Sequence, residues 1–160
     1  MARRAVLSLE SLEDRSVPAA SLSAWLGNDG VLLIQGTENA DTIVVRQDAI
    51  GRVSVQGISI SVLGGANPSV AASSISRIEV QGLGGDDLIR TDSENISGFV
   101  GLTRPVTIFA GAGNDTIRAG NRGTTIHGQT GNDSIFGGAG NDTIFGGAGN
   151  DTIVGGAGND

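Results

Sequence analysis

From Gly128 onward the sequence divides into blocks of nine: GQTGNDSIF (128–136), GGAGNDTIF (137–145), GGAGNDTIV (146–154) and a last GGAGND (155–160). The same frame runs back through AGNRGTTIH (119–127) and AGAGNDTIR (110–118). Asp115, Asp133, Asp142, Asp151 and Asp160 all hold position six; Ile117, Ile126, Ile135, Ile144 and Ile153 hold position eight. A short, drift-free period allows only a stack of like units, each burying its apolar residue against its neighbours. Looser copies precede the array: GLGGDDLIR (82–90), with Asp87, and GTENADTIV (36–44), with Asp41.

The unit 137–145 begins with three glycines in four residues, which permit a tight turn with carbonyls pointing to one side. Its closing Thr143-Ile144-Phe145 is β-prone. A turn and a short strand per nine residues makes a coil of 18, with two parallel sheets and units i and i+2 stacked ~4.8 Å apart. Upstream, Val31/Leu33, Val53/Val55, Ile58/Ile60/Val62 and Ile75/Ile78/Val80 read as strands, and Asn28-Asp29-Gly30 reads as a hairpin corner. The fold class is all-β, a parallel β-roll or β-helix solenoid with irregular N-terminal strands. Three segments are expected: a leader at 1–20, disordered or a short helix; degenerate parallel strands at 21–109; and the regular array at 110–160. The copy at 82 lies one residue more than three nines before that at 110, which implies a phase break.

Composition excludes several classes of function. The net charge is −7, every one of the ten basic residues is arginine, and they form no cluster, so nucleic acid is not expected as a partner. No apolar run is long enough for a membrane-spanning helix. Cysteine is absent, which removes disulfides and thiolate metal sites. Without lysine there is no P-loop, and neither HExxH nor GxSxG occurs, so no enzyme is expected.

Stacking the units aligns their aspartates. Two carboxylates ~4.8 Å apart repel by about 3.5 kcal/mol at an effective dielectric of ~20. A hard cation between the turns converts that repulsion into attraction. Carboxylate and carbonyl oxygens, with no Cys and no His beside them, are the donor set of Ca²⁺.

The pattern G-G-x-G-x-D-x-(Leu/Ile)-x resembles the RTX, or haemolysin-type, calcium-binding nonapeptide repeats, closely at 128–160, well at 110–118 and partially at 82–90 and 36–44. The resemblance implies calcium between turns i and i+2, so Asp115 pairs with Asp133, Asp133 with Asp151, and Asp142 with Asp160. Backbone carbonyls of Gly111, Gly113, Gly131, Gly138, Gly140, Gly147, Gly149, Gly156 and Gly158 complete the implied metal set, with Asp87 and Asp41 as weaker members. Unit 119–127 departs from the pattern. It carries Arg122 and Thr124 at positions four and six, and unit 101–109 carries Arg104 and Val106 there. One edge of the stack is therefore expected to load fully and the other only from 137 onward. The family also implies secretion to the medium or the cell surface, and folding once calcium reaches about 10⁻⁴–10⁻³ M outside the cell.

The segment LSLESLEDRSVPAA resembles an LEPR-XLL-type leader of exported bacterial proteins. The array stops within a repeat at Asp160, and further sequence is expected beyond it. His127 is expected to face outward, stacked on Phe145, and Asp86 to be solvated. Phe136, Phe145 and Val154 at position nine fall outside the roll, where they pack between strands; docking on a neighbouring module or another surface protein is the alternative. The reading is therefore calcium binding coupled to folding in an exported structural or adhesive protein. A non-catalytic fragment of an RTX enzyme or toxin is the alternative. An ice-binding face ranks lower, because alanine at position three interrupts the Thr-Asn rank.

Overall fold

The computed structural model describes residues 21–56, 60–62, 65–92 and 99–160. The expected leader at 1–20 and the strand position of Ile58 lie outside them. Among the described residues sixteen strands form: β1 (Ser23–Leu26), β2 (Val31–Gln35), β3 (Thr42–Asp48), β4 (Arg52–Val55), β5 (Ile60–Val62), β6 (Gly65–Asn67), β7 (Val70–Ala71) and β8 (Arg77–Gly84), then β9 (Leu88–Arg90), β10 (Phe99–Val100), β11 (Val106–Ala112), β12 (Thr116–Arg118), β13 (Thr124–Thr130), β14 (Ser134–Ala139), β15 (Thr143–Ala148) and β16 (Thr152–Ala157). The only helical turn among the described residues is a 3₁₀ turn at Ala72–Ser74. No helix there is long and apolar enough to cross a membrane.

The protein is all-β, and from β11 onward consecutive strands alternate between two sheets. One sheet runs β15-β13-β11-β8-β2-β1-β5-β6; the other runs β16-β14-β12-β9-β3-β4-β7, with β10 also paired to β3. Register in the array is a shift of 18 residues: Ile108 opposes Ile126, Ile126 opposes Ile144, and Ile117 opposes Ile135. Units i and i+2 therefore stack, as the turn-strand pattern predicts. Both sheets run across residue 110 without a break.

The phase break has a simple origin. Backbone contacts between the coil of β8 and β9 and the next one span 28 residues, and those to the preceding coil span 46. The wide separation of β9 from β11 enlarges the first of these coils, and the excursion through β4 to β7 enlarges the second. Parallel pairing holds for β2 with β8 and β3 with β9. β1 with β5 is parallel too, but the remaining N-terminal pairs correct the expectation of parallel pairing: β1/β2, β3/β4, β4/β7, β5/β6 and β3/β10 are antiparallel. Tight turns permit this for β1/β2 and β3/β4, because an antiparallel return needs only a few residues where a parallel one needs a crossover. At Asn28-Asp29-Gly30 the Gly30 amide donates to the Gly27 carbonyl and the Val31 amide to Asp29 Oδ1.

The core is two facing columns of apolar side chains. Ile34, Val80, Ile108 and Ile126 come from one sheet, and Ile43, Ile89, Ile117 and Ile135 from the other. Burial fades along the second column: Ile89 and Ile117 are 0% exposed, Ile135 2%, and Ile153 45%. Ile117→Ala is expected to cost about 2–5 kcal/mol, the usual cost of emptying a packed aliphatic site, and Ile153→Ala less than half as much. Urea unfolding of both variants in calcium buffer checks the ratio.

Candidate metal centre

The turns of the array depend on glycine where the chain doubles back. Gly147 and Gly149 have φ of 110° and 135°, and a Cβ on Gly149 would strike the Gly131 carbonyl of the preceding coil. No L-residue combines that conformation with that approach. The turn delivers position six with its carboxylate directed across to the preceding coil.

Each such carboxylate divides its two oxygens between separate tasks. Asp133 Oδ1 accepts the backbone N–H of Asp115 at 2.9 Å, and Asp151 Oδ1 accepts that of Asp133 at 3.0 Å. The same bond joins Asp115 Oδ1 to the Asp87 N–H and Asp87 Oδ1 to the Asp41 N–H, each at 2.8 Å. One edge therefore carries an unbroken ladder, Asp41–Asp87–Asp115–Asp133–Asp151. On the other edge Asp142 Oδ1 takes the Thr124 N–H at 2.7 Å, and Asp160 Oδ1 takes the Asp142 N–H at 2.9 Å.

The second oxygen of the buried rungs has no such partner. Oδ2 of Asp87, Asp115, Asp133 and Asp142 is buried and accepts no hydrogen bond. An orphaned carboxylate oxygen is costly away from water. Burial is the chief reason the Asp87 carboxyl is pushed up to about 7; the Asp41 N–H opposes this, and the charges of Asp115, Asp41 and Asp86 add to it. Asp115, Asp133 and Asp142 are raised for the same first reason, with a neighbouring coil's amide bond opposing and a neighbouring aspartate adding.

The orphaned oxygens face a second kind of donor. A Cβ placed on Gly128 would run into both Asp133 Oδ2 and the Gly146 carbonyl oxygen. One on Gly82 would meet Asp87 Oδ2 and the Ala110 carbonyl, and one on Gly137 would meet Asp142 Oδ2 and the Gly155 carbonyl. The carbonyl of position one therefore approaches the free carboxylate oxygen of the preceding coil. These position-one carbonyls are absent from the sequence-derived set; the recurrence of glycine at 128, 137, 146 and 155 was the available signal. Of the glycines in that set, Gly113, Gly131, Gly138 and Gly140 direct their carbonyls at the glycine one coil later, and Gly111, Gly147, Gly149, Gly156 and Gly158 occupy left-handed positions in the same turns.

The weaker members separate. Asp87 is a buried rung equivalent to Asp115, whereas Asp41 Oδ2 is already bonded to the Thr37 amide and hydroxyl at 2.6 and 2.9 Å. Asp41 therefore ends the ladder as a capped carboxylate. At position six of the degenerate unit, Thr124 turns its hydroxyl to the Arg122 carbonyl at 2.9 Å. That edge has no carboxylate before Asp142, as its sequence implies. Exposed Asp86 is not merely solvated, because it accepts the Asn114 backbone amide at 2.7 Å.

The donors fit a hard cation: carboxylate oxygens and peptide carbonyls, with no nitrogen or sulfur ligand. No group of three or more acidic, His or Cys side chains converges among the described residues. Peptide carbonyls must therefore supply much of any coordination, a role Ca²⁺ accepts readily. Residues 100–121 and 125–160 match the family model of the RTX calcium-binding nonapeptide repeat, in four copies. These segments are RTX repeats, and RTX repeats bind Ca²⁺. The three residues between the matched segments, Arg122 to Thr124, are those where the carboxylate is replaced. Neither curated proteins nor solved structures give a match to the chain.

The raised carboxyls fix a pH dependence for the metal-free protein. Their folded pKa values exceed the ordinary 3.8, so the folded state holds more protons than the unfolded state above that pH. Stability in chelator is then fullest below about pH 4 and declines as pH rises through about 7. Thermal unfolding in EDTA across that range should show the decline, with Asp87→Asn flattening its upper part.

Proposed function

We propose that the chain is a calcium-ordered parallel β-roll solenoid, a structural or adhesive module of an exported bacterial protein acting in the medium or at the cell surface. The row of buried, unpartnered Oδ2 atoms carries this reading. Asp87, Asp115, Asp133 and Asp151 would hold calcium along one edge, and Asp142 and Asp160 along the other. The carbonyls of Ala110, Gly146 and Gly155 would serve with the sequence-derived glycines. Calcium supplies positive charge that offsets both the burial of the carboxylates and their mutual repulsion.

The residues prepare that role before any ion arrives. The Oδ1 bonds hold each carboxylate against the coil before it, so Oδ2 keeps its direction. Glycine at position one leaves space beside it. Coupling to folding follows by mass action, because an ion that binds only the stacked turns stabilises them by about 2.7 kcal/mol at one hundred times its dissociation constant. The demand for an ion spans residue 110: the apolar core is continuous across it, and Asp87 before it has the same orphaned oxygen as Asp115 and Asp133 after it. Export is supported by the family, since RTX repeats occur in secreted bacterial proteins.

A calcium titration followed by far-UV circular dichroism tests the proposal, with magnesium as control. Calcium alone should add β-signal, and Asp133→Asn/Asp151→Asn should move the midpoint roughly tenfold or more to higher calcium, a loss of at least 1.4 kcal/mol. A spectrum already fully β in chelator and unmoved by calcium would overturn the coupling.

A further inference from the structure

Two residues other than glycine have left-handed backbone among the described residues: Leu83 at φ 81° and Gln129 at φ 80°. Both stand at position two of a unit, where Gly111, Gly138, Gly147 and Gly156 serve elsewhere with positive φ. Glycine would meet the turn's demand without strain, so these side chains are held against the backbone's preference. Retained strain of this kind points to a use for the side chain.

Their placement supplies the use. Leu83 and Gln129 are the two register neighbours of Gly111 on adjacent strands of one sheet. Gly111 cannot carry a side chain, because a Cβ there would run into the Leu83 carbonyl. A wall, a gap and a second wall result. They open a groove of about 520 Å³, which Glu79, Gln81, Phe109 and Thr130 also line. Gln81 Nε2 donates to Glu79 Oε1 at 2.7 Å, which fixes the direction of that amide. His127 covers one face of the Phe109 ring, stacked at 4.9 Å; on the ring's other side the strand neighbour is Gln81, not an aromatic residue.

We infer that this groove is a saccharide-binding site. Two carboxamides, a hydroxyl and a carboxylate match the mixed donors and acceptors of sugar hydroxyls, and Phe109 and Leu83 offer apolar surface for a pyranose face. Charge selects a neutral sugar. Glu79 is the one charged residue in the lining and the chain carries −7, so a uronic acid meets repulsion. An extended peptide is disfavoured as well, because β8, β11 and β13 are each paired on both sides and offer no free edge.

The test uses the full chain saturated with calcium. Cellobiose, maltose, mannobiose, lactose and diacetylchitobiose are titrated while the side-chain amide resonances of Gln81 and Gln129 are followed; digalacturonic acid is the charged control. At least one neutral disaccharide should shift both amides, and the acid should bind more weakly. Gln129→Gly should raise the melting temperature by relieving the left-handed backbone, yet weaken that sugar about tenfold. Phe109→Ala should weaken it without raising the melting temperature. If no neutral disaccharide shifts the amides, if the acid binds as tightly, or if Gln129→Gly binds like the parent, the inference falls.

Discussion

The structure turns on a carboxylate whose two oxygens have different fates. Oδ1 of each buried aspartate closes a hydrogen bond to the coil before it, while Oδ2 is carried into the interior with nothing to accept. The first half of this arrangement stabilises the stack and the second half opposes it. Both halves come from one side chain, so neither is available without the other. A cation beside Oδ2 would resolve the conflict, and RTX repeats bind Ca²⁺. The adjacent residue acts in the opposite direction. Asn114 and Asn132 Oδ1 accept the amides of Asn132 and Asn150, one coil later, at 3.0 and 2.8 Å. Position six thus reaches backward and position five forward, and each turn is clamped to both neighbours.

Much of this was legible in the sequence. The nine-residue period and the columns of Asp and Ile specify the stacking of units i and i+2, and Arg122 with Thr124 marks the edge that lacks a carboxylate. His127 stacks between Phe109 and Phe145 at 4.9 Å, outside the core as its position implied. Phe136 and Phe145 are exposed, and Arg118 lies over the Phe136 ring. Other features were not legible, for physical reasons. That Asp87, named from its motif only as a weaker ligand, is a full rung of the ladder follows from Ile89 packing in line with Ile117 across a coil of 28 residues. The position-one carbonyls approach Oδ2 only because of backbone angles that composition does not encode. Antiparallel return in the N-terminal strands depends on local turn geometry, which a pattern of alternating apolar residues leaves open.

The ladder is closed at Asp41, whose free oxygen is met by Thr37, over a core that includes Leu32, Val45, Val53 and Ile75. From there apolar burial and orphaned carboxylates run together along one continuous pair of sheets: Ile89 lies in the coil of Asp87, Ile117 in that of Asp115 and Ile135 in that of Asp133.

The linear stacking has a mechanical consequence. Because each coil of the array is fastened to its two neighbours, force applied between the ends of the array meets a series of nearly equal fasteners. Within the array yielding would proceed one 18-residue step at a time, the register shift of its strands. Each such step would release the same length, so an array built this way would extend under load and recoil in stages.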